Sequence, residues 1–218
     1  MNESDNDQWF HNMMVEYEEA CAASPLAIQR FNPVIATDYG IPAALIYEHV
    51  YTRCQNNGLK EVAATLSMLG RHHPHLGRSA LYQGLTTLVK GTLKCPSLLH
   101  RQWLCGGYLY SLSDPDLVDN QQQLHLFEVS VATQVGVLPA LIYNRVQREH
   151  LLHLTGDPWA YPCECRRFVR LCRNRFPYAS EKTIRRAVEI LAGSGLMQKE
   201  EADGHYLWYP CEKAIARN

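Results

Sequence analysis

Between Cys163 and Arg186 the chain carries Arg166, Arg167, Arg170, Arg173, Arg175, Lys182, Arg185 and Arg186 against only Glu164 and Glu181. The formal net charge of the whole chain is -1. This excess of cations is therefore local, and so is any polyanion surface it makes. Guanidinium and ammonium groups at this density suit phosphate oxygens. Those projecting from a helix can also reach base edges, where a bidentate pair with guanine O6 and N7 contributes about 1 to 3 kcal/mol of discrimination.

Other reactive side chains point less clearly to chemistry. The run Arg71-His72-His73-Pro74-His75 is the one histidine cluster along the chain, and in a turn before a helix it reads as a phosphate-contacting or solvated loop rather than an acid-base centre. Cys163, Cys165 and Cys172 lie near His150 and His153, but the Cys-x-Cys-x6-Cys spacing lacks the paired knuckles of structural zinc sites. The eight cysteines accordingly read as reduced thiols serving as small core residues, and neither a metal nor a cofactor is expected. There is no glycine-rich phosphate loop ending in Gly-Lys-Ser/Thr, no Gly-x-Ser-x-Gly elbow and no His-Glu-x-x-His pair, so no enzyme is expected. Tyrosine is abundant, which leaves a strand-cleaving tyrosine open by count, yet nothing sets one apart.

The elements that must position these groups follow from an internal match. Ile35 to Val50 aligns without gaps on Val131 to Val146 at an offset of 96, with eight of sixteen residues identical: Ala36/Ala132, Thr37/Thr133, Gly40/Gly136, Ala44/Ala140, Leu45/Leu141, Ile46/Ile142, Tyr47/Tyr143 and Val50/Val146. A second block sets Leu81, Gly84, Leu85, Leu88 and Leu93 on Ile184, Ala187, Val188, Leu191 and Leu196, at an offset of 103. Two blocks in the same order describe a duplicated domain rather than a solenoid. The polar stretch from Ser113 to Gln123 is the natural boundary.

In the second copy, apolar spacing predicts a first helix over Ala140 to Glu149 and a second over Cys163 to Arg173, separated by the break Thr155-Gly156-Asp157-Pro158. After the turn Phe176-Pro177-Tyr178, Ser180 is a suitable N-cap for a third helix from Glu181 to about Ala192, with Ile184, Ala187, Val188 and Leu191 facing inward. Gly193-Ser194-Gly195 ends it, and Leu196 to Gln198 with His205 to Tyr209 predict a hairpin around a polar tip at Glu200 to Gly204. In the first copy the corresponding pieces are a helix around Leu59 to Leu69, a turn through Arg71 to Pro74 and a helix from Arg78 to Lys90. Strands at Thr92 to Cys95 and Gly107 to Leu112 would then be joined by a longer wing.

Helix, helix, turn, helix and hairpin is a winged helix-turn-helix layout. The run FPYASEKTIRRAVEILAGSGLM with the hairpin ending HYLWY resembles the winged-helix domains of phage and plasmid replication proteins and of related transcription regulators. The resemblance implies that the helix after the turn enters the major groove of double-stranded DNA while the wing touches the backbone or minor groove. Carried onto this chain, it makes Arg166, Arg167, Arg170, Arg173 and Arg175 phosphate contacts. Ser180, Lys182, Arg185 and Arg186 become the reading head, with Lys199 and His205 on the wing and Arg78, Tyr82 and Gln83 on the corresponding helix of the first copy. That helix, RSALYQGLTTLVK, departs from the pattern in carrying fewer charges.

The expected fold is thus mainly α with small β-hairpins, an α+β chain of two tandem winged helix-turn-helix domains. An acidic N-terminal segment occupies residues 1–29, the first domain 30–112, a linker 113–124 and the second domain 125–218. Trp9, Phe10, Met13, Met14 and Tyr17 are spaced as one apolar helix face that could pack on its own chain, form a homodimer seam or bind another protein. No apolar run is long enough to span a bilayer and the first residues are polar and acidic, so no membrane is expected and the protein reads as cytoplasmic. The leading functional expectation is a sequence-specific binder of double-stranded DNA, a transcription regulator. A replication initiator of a mobile element and a protein-interaction module on the same scaffold are the alternatives.

Overall fold

The computed structural model describes residues 27–58, 60–104, 107–114, 124–154, 165–202 and 205–211. The N-terminal apolar face with Trp9, Phe10, Met13, Met14 and Tyr17, most of the expected linker and the break after the first helix of the second copy lie outside the described residues. Helices and short strands make an α+β chain that divides into two compact units, Met1–Leu126 and Phe127–Asn218. No helix among the described residues is long and apolar enough to cross a membrane.

The first unit runs β1 (Ile28–Phe31), α1 (Pro33–Tyr39), α2 (Ile41–Asn57), β2 (Glu61–Ala63), α3 (Leu66–His72), α4 (Arg78–Lys90), β3 (Leu99–Leu104) and β4 (Gly107–Leu112). Asn32 starts α1 by accepting the Val34 N–H at 2.8 Å, and Pro33 sits where a missing N–H costs nothing. Gly40, at φ 89° and ψ 159°, ends α1 and begins α2. Only glycine occupies that backbone region without strain. The long helix α2 lies against α1, α4 and strands β1 and β4. Tyr47, Val50, Leu81, Leu88 and Leu99 are fully buried in this core. Strands β2, β4 and β3 form a three-stranded antiparallel sheet in that order, with Val62 opposite Tyr110 and Arg101 opposite Tyr110 on the other side.

Strand β5 (His125–Glu128) leads into the second unit: α5 (Val129–Val135), α6 (Val137–Leu154), α7 (Cys165–Arg175), α8 (Glu181–Gly193), β6 (Met197–Ala202) and β7 (His205–Pro210). Helix α6 lies against α5, α8 and β7, and α8 lies against α7 and β6. Gly136, at φ 94° and ψ 164°, separates α5 from α6 as Gly40 separates α1 from α2. The residues identical at the offset of 96 also have matching burial: Tyr47 and Tyr143 are each 1% exposed, and Val50 and Val146 are each 0%. Helices α4 and α8 have the same length and bury the same positions, Leu81, Gly84, Leu85 and Leu88 in one and Ile184, Ala187, Val188 and Leu191 in the other.

The turn before each of these helices is also the same. His73 N donates to Leu69 O and Leu76 N to His73 O; at the offset of 103, Phe176 N donates to Cys172 O and Ala179 N to Phe176 O. His73 therefore stands where the second unit has Phe176, and both side chains are buried.

Three expectations for the first unit need correction. The helix expected over Leu59 to Leu69 is instead strand β2 followed by α3. Val62 and Ala63 are buried against β4, and Thr65 starts α3 by accepting the Met68 N–H at 3.2 Å. A short apolar run does not declare its period, and here sheet pairing decides it. Thr92 to Cys95 is a turn rather than a strand: Thr92 N donates to Cys95 O at 2.8 Å and Thr92 Oγ1 accepts from Cys95 N at 3.0 Å. The hairpin begins at Leu99, so no long wing separates its strands. Finally, the histidine run is not a solvated loop. His73 is 2% exposed and closes the end of α3 against the core. In the second unit the strand β6 takes in Glu200 and Glu201, which were expected in the hairpin tip.

Cys54 and Cys172 are buried, while Cys95 and Cys211 are partly exposed. Cys163 lies outside the described residues, as do the side chains of Cys165 and His153.

Candidate nucleic-acid interface

Helix α8 carries its charges where its packing leaves them. Ile184, Ala187, Val188 and Leu191 recur at helical spacing and are 0 to 5% exposed, so they fix the inward face. Lys182, Arg185, Arg186 and Glu189 are all exposed, forming one outer stripe. The helix is well started: Ser180 Oγ accepts from Thr183 N at 3.2 Å, and Glu181 places a carboxylate in the first turn. Glu181 also binds Arg185, whose Nη2 and Nε donate to Oε1 at 2.7 and 3.0 Å. That contact and the charge of Arg185 hold the Glu181 carboxyl below its ordinary range. Arg185 is thus pre-oriented along the helix surface, with 58% of its side chain exposed.

Helix α7 presents a parallel set. Phe168, Val169 and Cys172 are buried, while Arg170, Arg173 and Arg175 are exposed. Arg166 and Arg167 belong to the same helix, with side chains outside the described residues. Phe176 and Ala179 bury the turn that joins α7 to α8, so two cationic helices are held in a fixed relation by an apolar corner. Tyr178 in that turn is half-buried, and burial pushes its phenol up from the ordinary value.

The hairpin contributes less than expected. Lys199 is exposed and stands in register with Trp208, but the next two residues, Glu200 and Glu201, are exposed carboxylates. His205 begins β7 with its side chain outside the described residues. The strand therefore offers phosphate one cation beside two anions. In the first unit Arg78, Tyr82 and Gln83 are exposed on the outer side of α4, where the only other charge is Lys90. Of the expected site residues, the described side chains on α7 and α8 gather in one unit; those on α4 belong to the other.

Searches of family profiles, of characterised proteins and of solved structures find no match to this chain.

The tyrosines offer no poised nucleophile among the ones the fold buries. Burial holds the Tyr47 phenol up at about 12 and raises that of Tyr143. Tyr39 is pushed to about 12 as well, and its hydroxyl donates to Pro96 O at 2.7 Å.

A second polar cluster lies in the first unit, where the histidine run His72-His73-Pro74-His75 is joined by His49, which the sequence does not single out. His49 on α2, His72 and His73 at the end of α3, and His75 in the following turn stand together, with ring centroids 4.2 Å apart for His49 and His72, 4.8 Å for His72 and His73, and 5.8 Å for His73 and His75. Burial holds His72 and His75 down at about 4, with the charge of Arg53 adding to the effect on His72 and that of His72 to the effect on His75. Burial pushes His49 and His73 well below the ordinary value too. His49 carries no signal in its own neighbourhood of the sequence; its nearness to Arg71 through His75 arises when α2 and α3 pack.

Proposed function

We propose that the chain is a sequence-specific binder of double-stranded DNA, built from two tandem winged helix-turn-helix units, with the second unit as the reading unit. What carries this reading is the outer face of α8, where Lys182, Arg185 and Arg186 project away from an apolar inner face, together with the exposed Arg170, Arg173 and Arg175 of the adjoining α7. Helix α8 would lie in the major groove, with Arg185 and Arg186 reaching base edges. The α7 arginines would hold phosphates, which supply affinity and salt dependence without sequence choice. The acidic hairpin limits the wing to a minor role. The common turn before α4 and α8, together with the shared Gly40 and Gly136 junctions, supports the duplication. A transcription regulator is the preferred role, because the chain carries no nucleotide-phosphate loop of its own.

A protein-interaction role for the first unit draws on a different observation. Trp103 is 60% exposed on β3 and pairs edge-on with Tyr108 of β4, over which Arg101 is stacked at 4.6 Å. Exposed aromatic and arginine side chains of this kind suit a partner surface.

The deciding experiment is binding of the purified full chain to random-sequence duplex DNA at low and high salt, followed by recovery of the bound sequences. The expected result is a defined motif, an affinity that falls steeply with salt, and loss of the motif in Arg185→Ala/Arg186→Ala. Failure to hold any duplex at low salt would remove the DNA reading and leave the interaction surface of the first unit as the function to pursue.

A further inference from the structure

The histidines of the first unit are an expensive way to fill a core. At the position of His73 the second unit has Phe176, at that of His49 it has Arg145, and at that of Gln29 it has His125. The cluster of histidines is therefore special to one unit. Burying an imidazole costs free energy unless its nitrogens are satisfied, and a phenyl ring fills the equivalent space without that cost.

Hydrogen bonding fixes the chemical form of one of these rings. Gln29 is 4% exposed, and its Nε2 donates to the His72 carbonyl oxygen at 2.6 Å. Its Oε1 is thereby the acceptor that faces His73 Nδ1 at 2.8 Å. Nδ1 must carry the proton, so in the neutral ring Nε2 carries a lone pair. That nitrogen is buried and has no hydrogen-bond partner among the described residues. A ring nitrogen can be chosen from each of His49, His72 and His73 such that all three lie within 4.8 Å of one another.

We propose that His49, His72 and His73 bind one borderline divalent transition-metal ion of the Zn2+ class through three imidazole nitrogens, with His73 ligating through Nε2 and Gln29 as its positioning residue. Neutral imidazole is the donor such ions prefer among nitrogen ligands. A ligating histidine typically donates its other N–H to an oxygen acceptor, which is the relation of His73 to Gln29. With metal–nitrogen bonds of about 2.1 Å, tetrahedral ligands stand about 3.4 Å apart, so modest ring rotations would close the set. His75, whose ring centroid stands 5.8 Å from that of His73, is a candidate for a fourth position, which water can otherwise fill. Arg53 lies close enough for its charge to act on His49 and His72, and it lowers the affinity of the site for a cation. The bound ion would tie α2 to the end of α3, which Gln29 already ties to β1.

The test uses the full chain stripped with a chelator and titrated with Co2+, then with Zn2+ in competition. Expected are the visible bands of tetrahedral cobalt bound by nitrogen, saturation at a single equivalent, displacement by Zn2+, and a higher melting temperature with Zn2+. His72→Gln should abolish all of these, and Gln29→Leu should weaken binding by about 10- to 100-fold. Because a core variant could fail to fold, histidine-selective nitrogen NMR of the wild-type chain provides a second measure. Adding Zn2+ should move the His73 Nε2 resonance and leave its Nδ1 protonated. No spectral change on adding metal, sulfur-to-cobalt bands that place the ion on cysteines, or binding that survives His72→Gln would each overturn the proposal.

Discussion

Arg185 and Glu181 are joined by a two-nitrogen contact on the outer face of α8, with both Nε and Nη2 of the arginine on one carboxylate oxygen. In the DNA reading this carboxylate both aims the guanidinium and competes with the nucleic acid for it. Glu181→Gln should therefore bind duplex DNA more tightly than wild type while reading the same motif less sharply. Arg185→Ala should weaken binding to the preferred motif and relax the choice of base at one position. Both are checked by titration of labelled duplex at fixed salt, and weaker binding by Glu181→Gln would contradict the assignment of Arg185.

The junction glycines should be irreplaceable for a backbone reason rather than a packing one. A Cβ on Gly40 or Gly136 would meet only a proline ring carbon at 3.9 or 3.8 Å, which is ordinary contact. The strain comes from their positive φ with extended ψ. Gly40→Ala and Gly136→Ala should each destabilise by about 1 to 3 kcal/mol. Gly193→Ala, in helical backbone with open space around it, should be stabilising by about 0.4 to 1 kcal/mol. Urea unfolding of the three variants checks the contrast, and equal effects at all three positions would refute it.

Gly84 differs from its counterpart Ala187 in the space available. A Cβ there would lie 3.0 Å from backbone atoms of Pro42 and Ala43, so α4 and α2 would have to part by a few tenths of an ångström to admit an alanine. Gly84→Ala should lower the unfolding midpoint even though alanine is favoured over glycine in a helix interior by about 1 kcal/mol. A rise in the midpoint would show that the helices part at little cost.

Acid should unfold the metal-free protein through the histidine cluster. The folded chain holds His72 and His75 down at about 4, and His49 and His73 well below 6.5, whereas the unfolded chain takes up protons near 6.5. The unfolded state therefore binds more protons as pH falls, and stability present above 6.5 is lost progressively down to about 4. Urea midpoints measured in chelator across that window should fall with pH, and His72→Gln should flatten the slope. A midpoint independent of pH would contradict the burial of these rings.

Much of the second unit was legible in the sequence. The inner face of α8, its Ser180 cap and the Gly193-Ser194-Gly195 stop depend on neighbours three or four residues apart, which one helix settles by itself. The first unit was less legible. Nothing local tells Glu61 to Ala63 to pair with β4, and nothing in the apolar pattern marks the turn at Thr92, whose hydrogen bonds come from a threonine side chain and one backbone pair.

The amino-acid order by itself determined the repeat, the amphipathic helices that follow each turn and the concentration of arginine in one stretch, because each of these is a matter of spacing along the chain. Only the tertiary structure decided which polar groups leave water. Gln29, His49 and His73 come from three separate elements, and they meet only when α2 packs against β1 with the end of α3 alongside. Local periodicity cannot encode that meeting, because it arises from the packing of elements distant in sequence.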